Sequence, residues 1–386
     1  MVLKLSLRGA KRRSNLLSYG RLPRAFGARN DGHVYDALVI GAGFAGLSTA
    51  YHLAKKGLKN IVVVEHDKKL GGHASGRNAG MIRQAISDPV IAALAAEGRR
   101  CLNQCGKLGW KGMRLESNGS LLLAGGKEIG ELKLTAAVLA KEKISCRWLS
   151  HQDSVKRVPL LNGGDFEKGL FCDSDAMVDI MLLLRGFYEQ LIHGGVPVWM
   201  GHTLRKIEKR TDGFYVTAGK RAWITSKVVN AAGAWASAVA RQAKASPVPL
   251  KAYRRHLFIS KPFRELDSSW PFVWDLSHNF YFRPQDGALL LSPCDKEEIK
   301  NAAKAVKKET TDPEMKKLLQ SKLKDFGGKF KPIKIQYTKS GLRTMTPDGR
   351  FVIGEDPKLK GFFWVAGLGG HGVTTSFAVG DLASDL

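Results

Sequence analysis

The feature that most constrains the fold is a strand, glycine turn, helix and strand within residues 34–65. The apolar segment VYDALVI is followed by the turn GAGFAG, the helical pattern LSTAYHLAKKG and the strand IVVVE. Gly41 allows the tight turn, Gly43 lets backbone approach a pyrophosphate, and Gly46 permits close packing of helix against strand. Glu65 lies 24 positions after Gly41, where a carboxylate can accept hydrogen bonds from ribose hydroxyls. The unit therefore predicts a Rossmann-like fold that binds an ADP moiety, and it leaves NAD and FAD both open.

Composition indicates a globular protein with an unusual charge. Charged residues make up 25% and hydrophobic residues 44% of the 386 residues, and no uninterrupted apolar run approaches the about 18 residues of a membrane span. The formal net charge of +26 would attract nucleic acid or an anionic membrane surface. One share of it lies in residues 1–30. Another lies in the segment 296–324, which glutamates interrupt and which we interpret as a solvated helical face. Nucleic acid is therefore disfavoured as a partner, and peripheral contact with an anionic membrane stays open.

Residues 1–30 and the cysteines bear on the compartment. The first 30 residues contain no acid and are rich in arginine, lysine, serine and leucine, which fits either an organelle transit peptide or a disordered basic extension. The five cysteines are odd in number and form no CxxC pair, which predicts neither a disulfide framework nor a metal site. We expect an intracellular, reducing location, either the cytoplasm or, if the extension is a transit peptide, the mitochondrial matrix.

Two further glycine sites lie far along the chain. Residues 228–233, VVNAAG, end an apolar strand in small residues, and residues 367–372, GLGGHG, form a turn before a helical pattern. Small residues let a flat or charged ligand approach backbone. A helix that begins at the second turn would direct partial positive charge at the ligand, which suits an isoalloxazine ring that becomes anionic on reduction. The two sites together favour FAD over NAD.

The order of the elements predicts the architecture. Helical spacing occupies residues 89–108 and 175–195, strands with turn signals fill 196–233 as an antiparallel meander, and residues 253–260, 280–283 and 288–292 read as strands. We predict an α/β fold in a two-domain α+β form, with a Rossmann-like FAD-binding domain interleaved with an antiparallel-sheet substrate domain. The predicted boundaries are 1–30 for the basic extension, 31–90, 165–245 and 335–386 for the FAD-binding domain, and 91–164 and 246–334 for the substrate or cap domain.

Five stretches together resemble one family. They are VIGAGFAGLSTAYHLA, ASGRNAG, VVNAAGAWA, GLRTMTPDGRFVIG and GFFWVAGLGGHGVTTS, spread from residue 38 to the end. The sequence resembles the D-amino acid oxidase superfamily of FAD-dependent oxidoreductases, above all its group of D-amino acid (D-arginine-like) dehydrogenases, glycine oxidases and sarcosine oxidases. The resemblance implies FAD binding by Gly41, Gly43, Phe44, Ala45, Gly46, Glu65, His66, Ser75, Gly76, Arg77, Asn78, Ala79, Gly80, Ala232, Gly233, Gly369, Gly370, His371, Gly372, Val373 and Thr374.

The resemblance also implies a substrate site. Arg343, in GLRTMTPDG, inherits the role of carboxylate anchor, for which a planar guanidinium suits because it makes two parallel hydrogen bonds. Arg254 or Arg255 matches a second arginine on the substrate side, Tyr281 matches a substrate tyrosine, and His73 matches a histidine beside the flavin. The implied reaction is oxidation of the Cα–N bond of a D-amino acid, glycine or N-methyl amino acid by hydride transfer to flavin N5, which gives an imino acid that hydrolyses.

Several alternatives stay open at this point. Sarcosine oxidases attach FAD through a cysteine at the position of Gly341, so that covalent link is not expected here. The superfamily also contains a tRNA wobble-uridine modifying enzyme, for which the basic surface would be functional. A non-catalytic flavoprotein subunit is a third alternative. The electron acceptor is open among oxygen, a quinone and an electron-transfer protein, because no local pattern reports access to the flavin.

Overall fold

The computed structural model describes residues 34–105, 110, 112–305, 312–331 and 333–385, with the side chains of 303 and 304 left out. The predicted basic extension, residues 1–30, lies outside the described residues. The strands are β1 Val34–Ile40, β2 Ile61–Val64, β3 Met81–Ile82, β4 Leu115–Glu116, β5 Ser120–Ala124, β6 Cys146–Ser150, β7 Lys168–Cys172, β8 Ala176–Val178, β9 Val198–Trp199, β10 Leu204–Arg210, β11 Gly213–Ala218, β12 Arg221–Asn230, β13 Lys251–Ser260, β14 Phe272–Asp275, β15 Phe280–Gln285, β16 Ala288–Ser292, β17 Glu297–Ile299, β18 Ile335–Met345, β19 Val352–Glu355 and β20 Phe362–Ala366. The helices are α1 Phe44–Lys55, α2 Pro89–Gln104, α3 Ile129–Lys141, α4 His151–Arg157, α5 Ile180–His193, α6 Ala236–Ala243, α7 Ala302–Ala305, α8 Pro313–Phe326 and α9 Ser376–Ser384.

An eight-stranded sheet forms around the predicted nucleotide-binding unit. Strand β1 lies between β2 and β12, parallel to both, and β20 runs parallel to the end of β12. The four residues of β2 are all buried, as expected for a parallel strand covered on both faces. Strands β10, β11 and β12 form the predicted antiparallel meander. The strand–turn–helix–strand prediction for residues 34–65 is confirmed.

Two helices cover one side of this sheet in close contact. Helix α1 crosses α9 so tightly that a Cβ on Gly380 would lie 2.0 Å from Oγ of Ser48. The same hydroxyl donates a hydrogen bond of 2.5 Å to the carbonyl of Ser376, across 328 residues of sequence. The C-terminal helix is thereby fixed to the helix that follows the first glycine turn, and the turns that precede the two helices come together.

Three local predictions were wrong in detail. Residues 176–178 form strand β8, and helix α5 begins only at Ile180, because the Asp179 carboxylate caps it by accepting hydrogen bonds from the backbone of Met181 and Leu182. The first strand of the predicted antiparallel meander is also placed differently, because β9 pairs with β2 and runs parallel to it. In the lysine-rich segment α8 is helical as predicted, whereas Glu297–Ile299 pairs with β13 as a strand.

A nine-stranded sheet forms the second layer of the molecule. Its order is β17-β13-β16-β15-β14-β5-β7-β6, with β18 paired to β13, and the β5–β14 pair is parallel while the others are antiparallel. The division into domains stays a prediction. Strands β7 and β18, which that division places in the FAD-binding part, pair within this sheet.

The two faces of the nine-stranded sheet differ in character. Strand register places Phe258, Phe282 and Leu291 on one face, where they join an aromatic core with α8. Burying each such side chain contributes about 2 kcal/mol to the free energy of folding. Because alternate residues point to opposite faces, Arg255 and Tyr281 lie on the other face. The apolar face therefore fixes the register that presents polar groups toward the eight-stranded sheet.

The described residues show neither a helix that could span a membrane nor a disulfide bond. Of the helices in residues 34–385 that the structure describes, none is both long and apolar enough to cross a bilayer. All five cysteines are free thiols. Burial raises the pKa of Cys101 to about 11 and that of Cys105 to about 12, so both thiols are protonated and unreactive near pH 7.

Candidate active site

A cavity of about 820 Å³ runs between the two sheets and collects most of the predicted site. Its size lies in the range of cofactor and ligand pockets. Of the residues predicted from the sequence, those that line it are Gly41, Gly43, Phe44, Ala45, Glu65, His66, His73, Ser75, Arg77, Asn78, Ala232, Gly233, Arg255, Tyr281, Arg343, Gly369, Gly370, Gly372 and Val373. The predicted residues that lie outside its lining are Gly46, Gly76, Ala79, Gly80, Arg254, His371 and Thr374.

The first glycine turn is shaped for close approach of backbone to a ligand. Gly41 has a φ of 108°, and a Cβ there would lie 2.5 Å from the carbonyl oxygen of Ala231. A Cβ on Gly46 would lie 1.9 Å from the Gly41 carbonyl oxygen, so Gly46 serves the packing of the turn rather than the cavity wall. Helix α1 follows with Gly43 at its N-cap and no side chain to cap it. Its amide groups and helix dipole therefore favour an anion at this end.

Glu65 is held in place at the end of β2. Its Oε2 accepts a hydrogen bond of 2.7 Å from the backbone of Ala42, and its Oε1 accepts one of 2.8 Å from the backbone of Asp67. Burial alone would raise the pKa of Glu65, but these bonds and one with His66 bring the pKa below its usual range. The group is thus a fixed carboxylate, as recognition of ribose hydroxyls requires.

Two histidines and an aspartate converge on the same wall. The rings of His66 and His73 stack with centroids 5.3 Å apart, and ligand atoms of His66, Asp67 and His73 all lie within 4.8 Å of one another. His73 Nε2 lies 2.9 Å from Asp67 Oδ2, without the geometry of a hydrogen bond. Burial lowers the pKa of His73 against the attraction of Asp67, which makes the ring neutral near pH 7. The prediction of no metal site stays a prediction.

The side chain of Asn78 makes hydrogen bonds within the loop that follows β2. The Asn78 side chain donates to the carbonyl of Ser75 at 2.8 Å and accepts from the backbone of Gly80 at 2.8 Å. The Ser75 hydroxyl accepts a hydrogen bond of 3.0 Å from the backbone of Phe44 at the start of α1. The loop predicted to follow the nucleotide is thereby fastened to the first glycine turn.

The third glycine site differs from its prediction in one respect. Gly369 and Gly370 line the cavity, but helix α9 begins at Ser376 rather than at the glycine turn. Hydrogen-bonded turns fill the interval, with the backbone of Thr375 donating to the carbonyl of His371 at 3.0 Å. The approach of this backbone to a ligand stays a prediction, and the helix terminus lies one turn further from the cavity than predicted.

Three polar side chains on one sheet face form the far end of the cavity. The Tyr281 hydroxyl and the Nε and Nη1 atoms of Arg255 are buried with no hydrogen-bond partner among the described residues. Arg343 lies on neighbouring β18, where Gly341 pairs with Arg255. Burial and nearby Arg255 lower the pKa of Arg343, although it stays protonated. Buried donors without partners are costly, so this end of the cavity favours an anionic ligand.

The structure separates the two candidate arginines of β13. Arg255 faces the cavity, whereas Arg254 faces away, with Nη1 3.6 Å from Glu297 and Nη2 donating to the carbonyl of Ala305 at 3.2 Å. Neighbouring residues of a strand point to opposite faces, so only one of the pair can reach the cavity. The prediction that Arg254 could lie on the substrate side is therefore wrong: its side chain lies on the face of the sheet that points away from the cavity.

The sequence reasoning missed Arg83. Its guanidinium lies 4.3 Å above the Trp274 ring, and Trp274 lies 5.1 Å from the ring of Tyr281. Burial, and to a lesser extent Arg343, lowers the pKa of Arg83 to about 10. Burial together with Arg83 and Arg343 also lowers the pKa of His371 to about 3, so this ring is neutral near pH 7. No signal in the short segment MIRQA distinguishes Arg83 from a surface arginine.

Comparison with known proteins identifies the family. The family model for FAD dependent oxidoreductases (DAO) matches residues 36–386. The chain belongs to this family. This confirms the predicted membership of the D-amino acid oxidase superfamily and FAD as the cofactor, and it makes the protein an FAD-dependent oxidoreductase.

Relatives of the chain include proteins of similar length and longer proteins of which it covers only a part. Peroxisomal sarcosine oxidase of Homo sapiens is 27% identical over 372 residues, which cover 92% of this chain and 92% of that protein. Mitochondrial sarcosine dehydrogenase of Homo sapiens is 27% identical over 361 residues; these cover 88% of this chain and only 38% of that longer protein. The crystal structure of L-proline dehydrogenase from P. horikoshii is 20% identical, with a TM-score of 0.81 over 92% of this chain and 93% of that one. The structural likeness confirms the predicted fold class.

The residues of the cavity fit FAD. The anion-favouring start of α1 and the fixed carboxylate of Glu65 suit the ADP half of FAD. Position 43 requires glycine, because a Cβ there would lie 2.9 Å from Oγ of Ser75. The glycines of the third site suit a flat ring, and Arg343 and Arg255 lie at that end. The cavity thus offers one end for each half of the cofactor.

Proposed function

We propose that the protein oxidises the Cα–N bond of a small amino acid, either a D-amino acid, glycine or an N-methyl amino acid, and that FAD accepts the hydride. The observation that carries this proposal is the group of unpartnered donors at the far end of the cavity. Among the described residues, the Tyr281 hydroxyl and the Nε and Nη1 atoms of Arg255 are buried there without a protein acceptor, and Arg343 lines the same end of the cavity. Likeness to sarcosine oxidase and sarcosine dehydrogenase supports the choice of substrate class.

The proposed roles follow from the chemistry of each group. Arg343 binds the substrate carboxylate through two charge-assisted hydrogen bonds and so orients Cα. Arg255 and the Tyr281 hydroxyl supply further donors on the same sheet face. With a pKa of about 3, His371 is too weak a base to hold an ammonium proton near pH 7. We therefore infer that the substrate amine loses its proton to water, while the arginines contribute binding and orientation.

The decisive experiment is anaerobic reduction of the purified holoprotein. A screen over glycine, sarcosine and D-amino acids should bleach the flavin absorbance with at least one of them. Arg343→Lys should retain FAD and raise the substrate concentration needed for bleaching by about a hundredfold, because an ammonium cannot form the paired hydrogen bonds. The proposal fails if no amino acid of these three classes reduces the flavin, and a non-catalytic flavoprotein subunit would then be the better description.

A further inference from the structure

One lysine of the lysine-rich segment binds backbone rather than solvent alone. Lys322 lies on α8 and is half-buried, whereas Lys317 of the same helix is exposed. The Nζ atom of Lys322 donates hydrogen bonds of 2.8 Å to two backbone carbonyls, those of Asn279 and Pro293. The two carbonyls lie 43 and 29 residues before Lys322 in the sequence, so this side chain joins three separate segments.

Both carbonyls lie at left-handed backbone. Asn279 has a φ of 54°, and Cys294, which directly follows Pro293, has a φ of 53°. Asparagine adopts this conformation readily, whereas a cysteine is strained in it. Strained backbone persists only where the surrounding contacts determine it, and the ammonium of Lys322 supplies one such contact to both turns.

The turn after β16 is bonded to the strands that carry Tyr281 and Arg255. Ser292 pairs with Tyr281 in the sheet register, and its hydroxyl donates to the carbonyl of His256 at 2.8 Å. Asp295, at the far end of the turn, accepts a hydrogen bond of 2.9 Å from the backbone of His256 and contacts its Nδ1 at 2.8 Å. His256 directly follows Arg255 on β13. The position of this turn therefore affects both donors of the candidate substrate end.

Tyr281 is fixed by the same lysine from two directions. Asn279 directly precedes β15, on which Tyr281 is the second residue. The side chain of Cys294, in the turn after β16, is buried in the same apolar cluster as Tyr281. Because the Tyr281 hydroxyl and the Nε and Nη1 atoms of Arg255 have no hydrogen-bond partner among the described residues, the placement of these atoms depends on the backbone that carries them.

Resting on the proposed function, we propose that Lys322 is a positioning residue for substrate binding. It fixes the two turns that place the Tyr281 hydroxyl and the Arg255 guanidinium at the carboxylate end of the cavity. Lys322 itself lies outside the lining of the cavity, so it acts through these two residues. A methionine at position 322 would leave both carbonyls without their donor, release the turns and weaken the hold on a carboxylate.

Binding of unreactive carboxylates to the holoprotein tests this inference apart from turnover. Acetate and propionate are titrated, and perturbation of the flavin absorbance reports binding. Lys322→Met should bind the tighter of the two about tenfold more weakly than the wild type. Lys317→Met, which removes an exposed lysine of the same helix, should bind it as the wild type does. Unchanged affinity in Lys322→Met, or a wild type that binds neither carboxylate, would overturn the inference.

Double variants distinguish positioning from a general loss of structure. In the background of Arg255→Met or of Tyr281→Phe, one group through which Lys322 acts is already absent. Adding Lys322→Met should then weaken carboxylate binding by about twofold in at least one background, because effects that act through a shared partner are not additive. The full tenfold loss in both backgrounds would contradict the assignment.

More conservative variants keep the test decisive if Lys322→Met does not fold or does not hold FAD. Lys322→Arg should keep carboxylate affinity within about threefold of the wild type, because a guanidinium also offers several donors for the two carbonyls. Lys322→Gln, which is shorter and uncharged, should bind the carboxylate about tenfold more weakly. Equal affinity in these two variants would overturn the inference.

Turnover then separates the inference from the proposed function. Flavin reduction by an amino acid at the same concentration in Lys322→Met and in the wild type would sustain the proposed function and overturn the role of Lys322. Carboxylate binding that depends on Lys322, without reduction by any amino acid, would sustain the positioning of a bound carboxylate and overturn the proposed function.

Discussion

A Cβ atom on Gly370 would lie 3.0 Å from Nη1 of Arg343 and 3.2 Å from its Cζ. The third glycine site thus lies directly against Arg343, the proposed carboxylate anchor, and the absence of a side chain at Gly370 leaves room for the guanidinium. Gly370→Ala should therefore displace Arg343 and weaken substrate binding about tenfold, with a smaller loss of affinity for FAD. Anaerobic flavin reduction and a separate FAD titration measure the two effects.

The control for this variant is Gly130→Ala. Gly130 is an exposed residue of α3 with nothing within 4 Å of its Cβ position. Its substitution should leave both affinities unchanged and raise helix stability slightly. Equal substrate affinity in Gly370→Ala and the wild type would show that Arg343 does not anchor the substrate.

The neighbouring arginines of β13 should behave differently. Arg255→Met removes from the cavity a guanidinium whose Nε and Nη1 atoms have no hydrogen-bond partner among the described residues, and it should weaken substrate binding by about tenfold or more. Arg254→Met removes a cation that faces Glu297 on the other side of the strand and should leave substrate binding within twofold. Substrate titrations of the two variants at one salt concentration make the comparison, and the reverse pattern would refute the placement of the site.

Strand alternation explains why the sequence left that choice open. The motif predicts that one of Arg254 and Arg255 reaches the substrate, but the answer depends on the register of β13 against β18, which long-range packing sets. The nucleotide-binding unit was predictable because glycine spacing and apolar strands are local signals. Arg83 was not, since its stack on Trp274 joins segments distant in sequence. The start of α5 carried a local signal in Asp179, and the continuous apolar pattern around it obscured that cap.

Gly46 should be the glycine of the first turn least tolerant of a side chain. A Cβ at this position would overlap the Gly41 carbonyl oxygen at 1.9 Å, and both groups belong to backbone that cannot rotate away. Gly46→Ala should lower the free energy of unfolding by about 3 kcal/mol or more. Urea denaturation beside Gly130→Ala, which adds the same methyl group to an open helix position, measures the difference. A loss as small as that of the control would mean that α1 approaches β1 less closely.

Gly341 bears on the attachment of FAD. Because a glycine occupies the position of the sarcosine oxidase cysteine, acid precipitation of the protein should leave all the flavin in solution. A Cβ on Gly341 would lie 2.8 Å from the carbonyl oxygen of Arg77. Gly341→Ala should therefore displace the loop that contains Arg77, which lines the cavity, and weaken FAD binding about tenfold. Flavin that stays with the precipitated wild-type protein would reveal a covalent link through another residue.

The neutral state of His371 gives a prediction for acid stability. Burial and two arginines lower the pKa of His371 to about 3 in the folded protein, whereas an unfolded histidine has a pKa of about 6.5. Between these values the unfolded chain binds more protons than the folded one, so the free energy of unfolding falls as the pH drops below about 6.5. Allowing for partial exposure of the ring, His371 should account for a loss of about 1 kcal/mol in the free energy of unfolding between pH 7 and pH 5.

On acidification, the free energy of unfolding of His371→Asn should fall by that much less than that of the wild type. His193→Asn, which removes an exposed histidine at the end of α5, should follow the wild type. Urea unfolding at both pH values decides the matter: an identical loss in all three proteins would place the His371 ring in water rather than against Arg83 and Arg343.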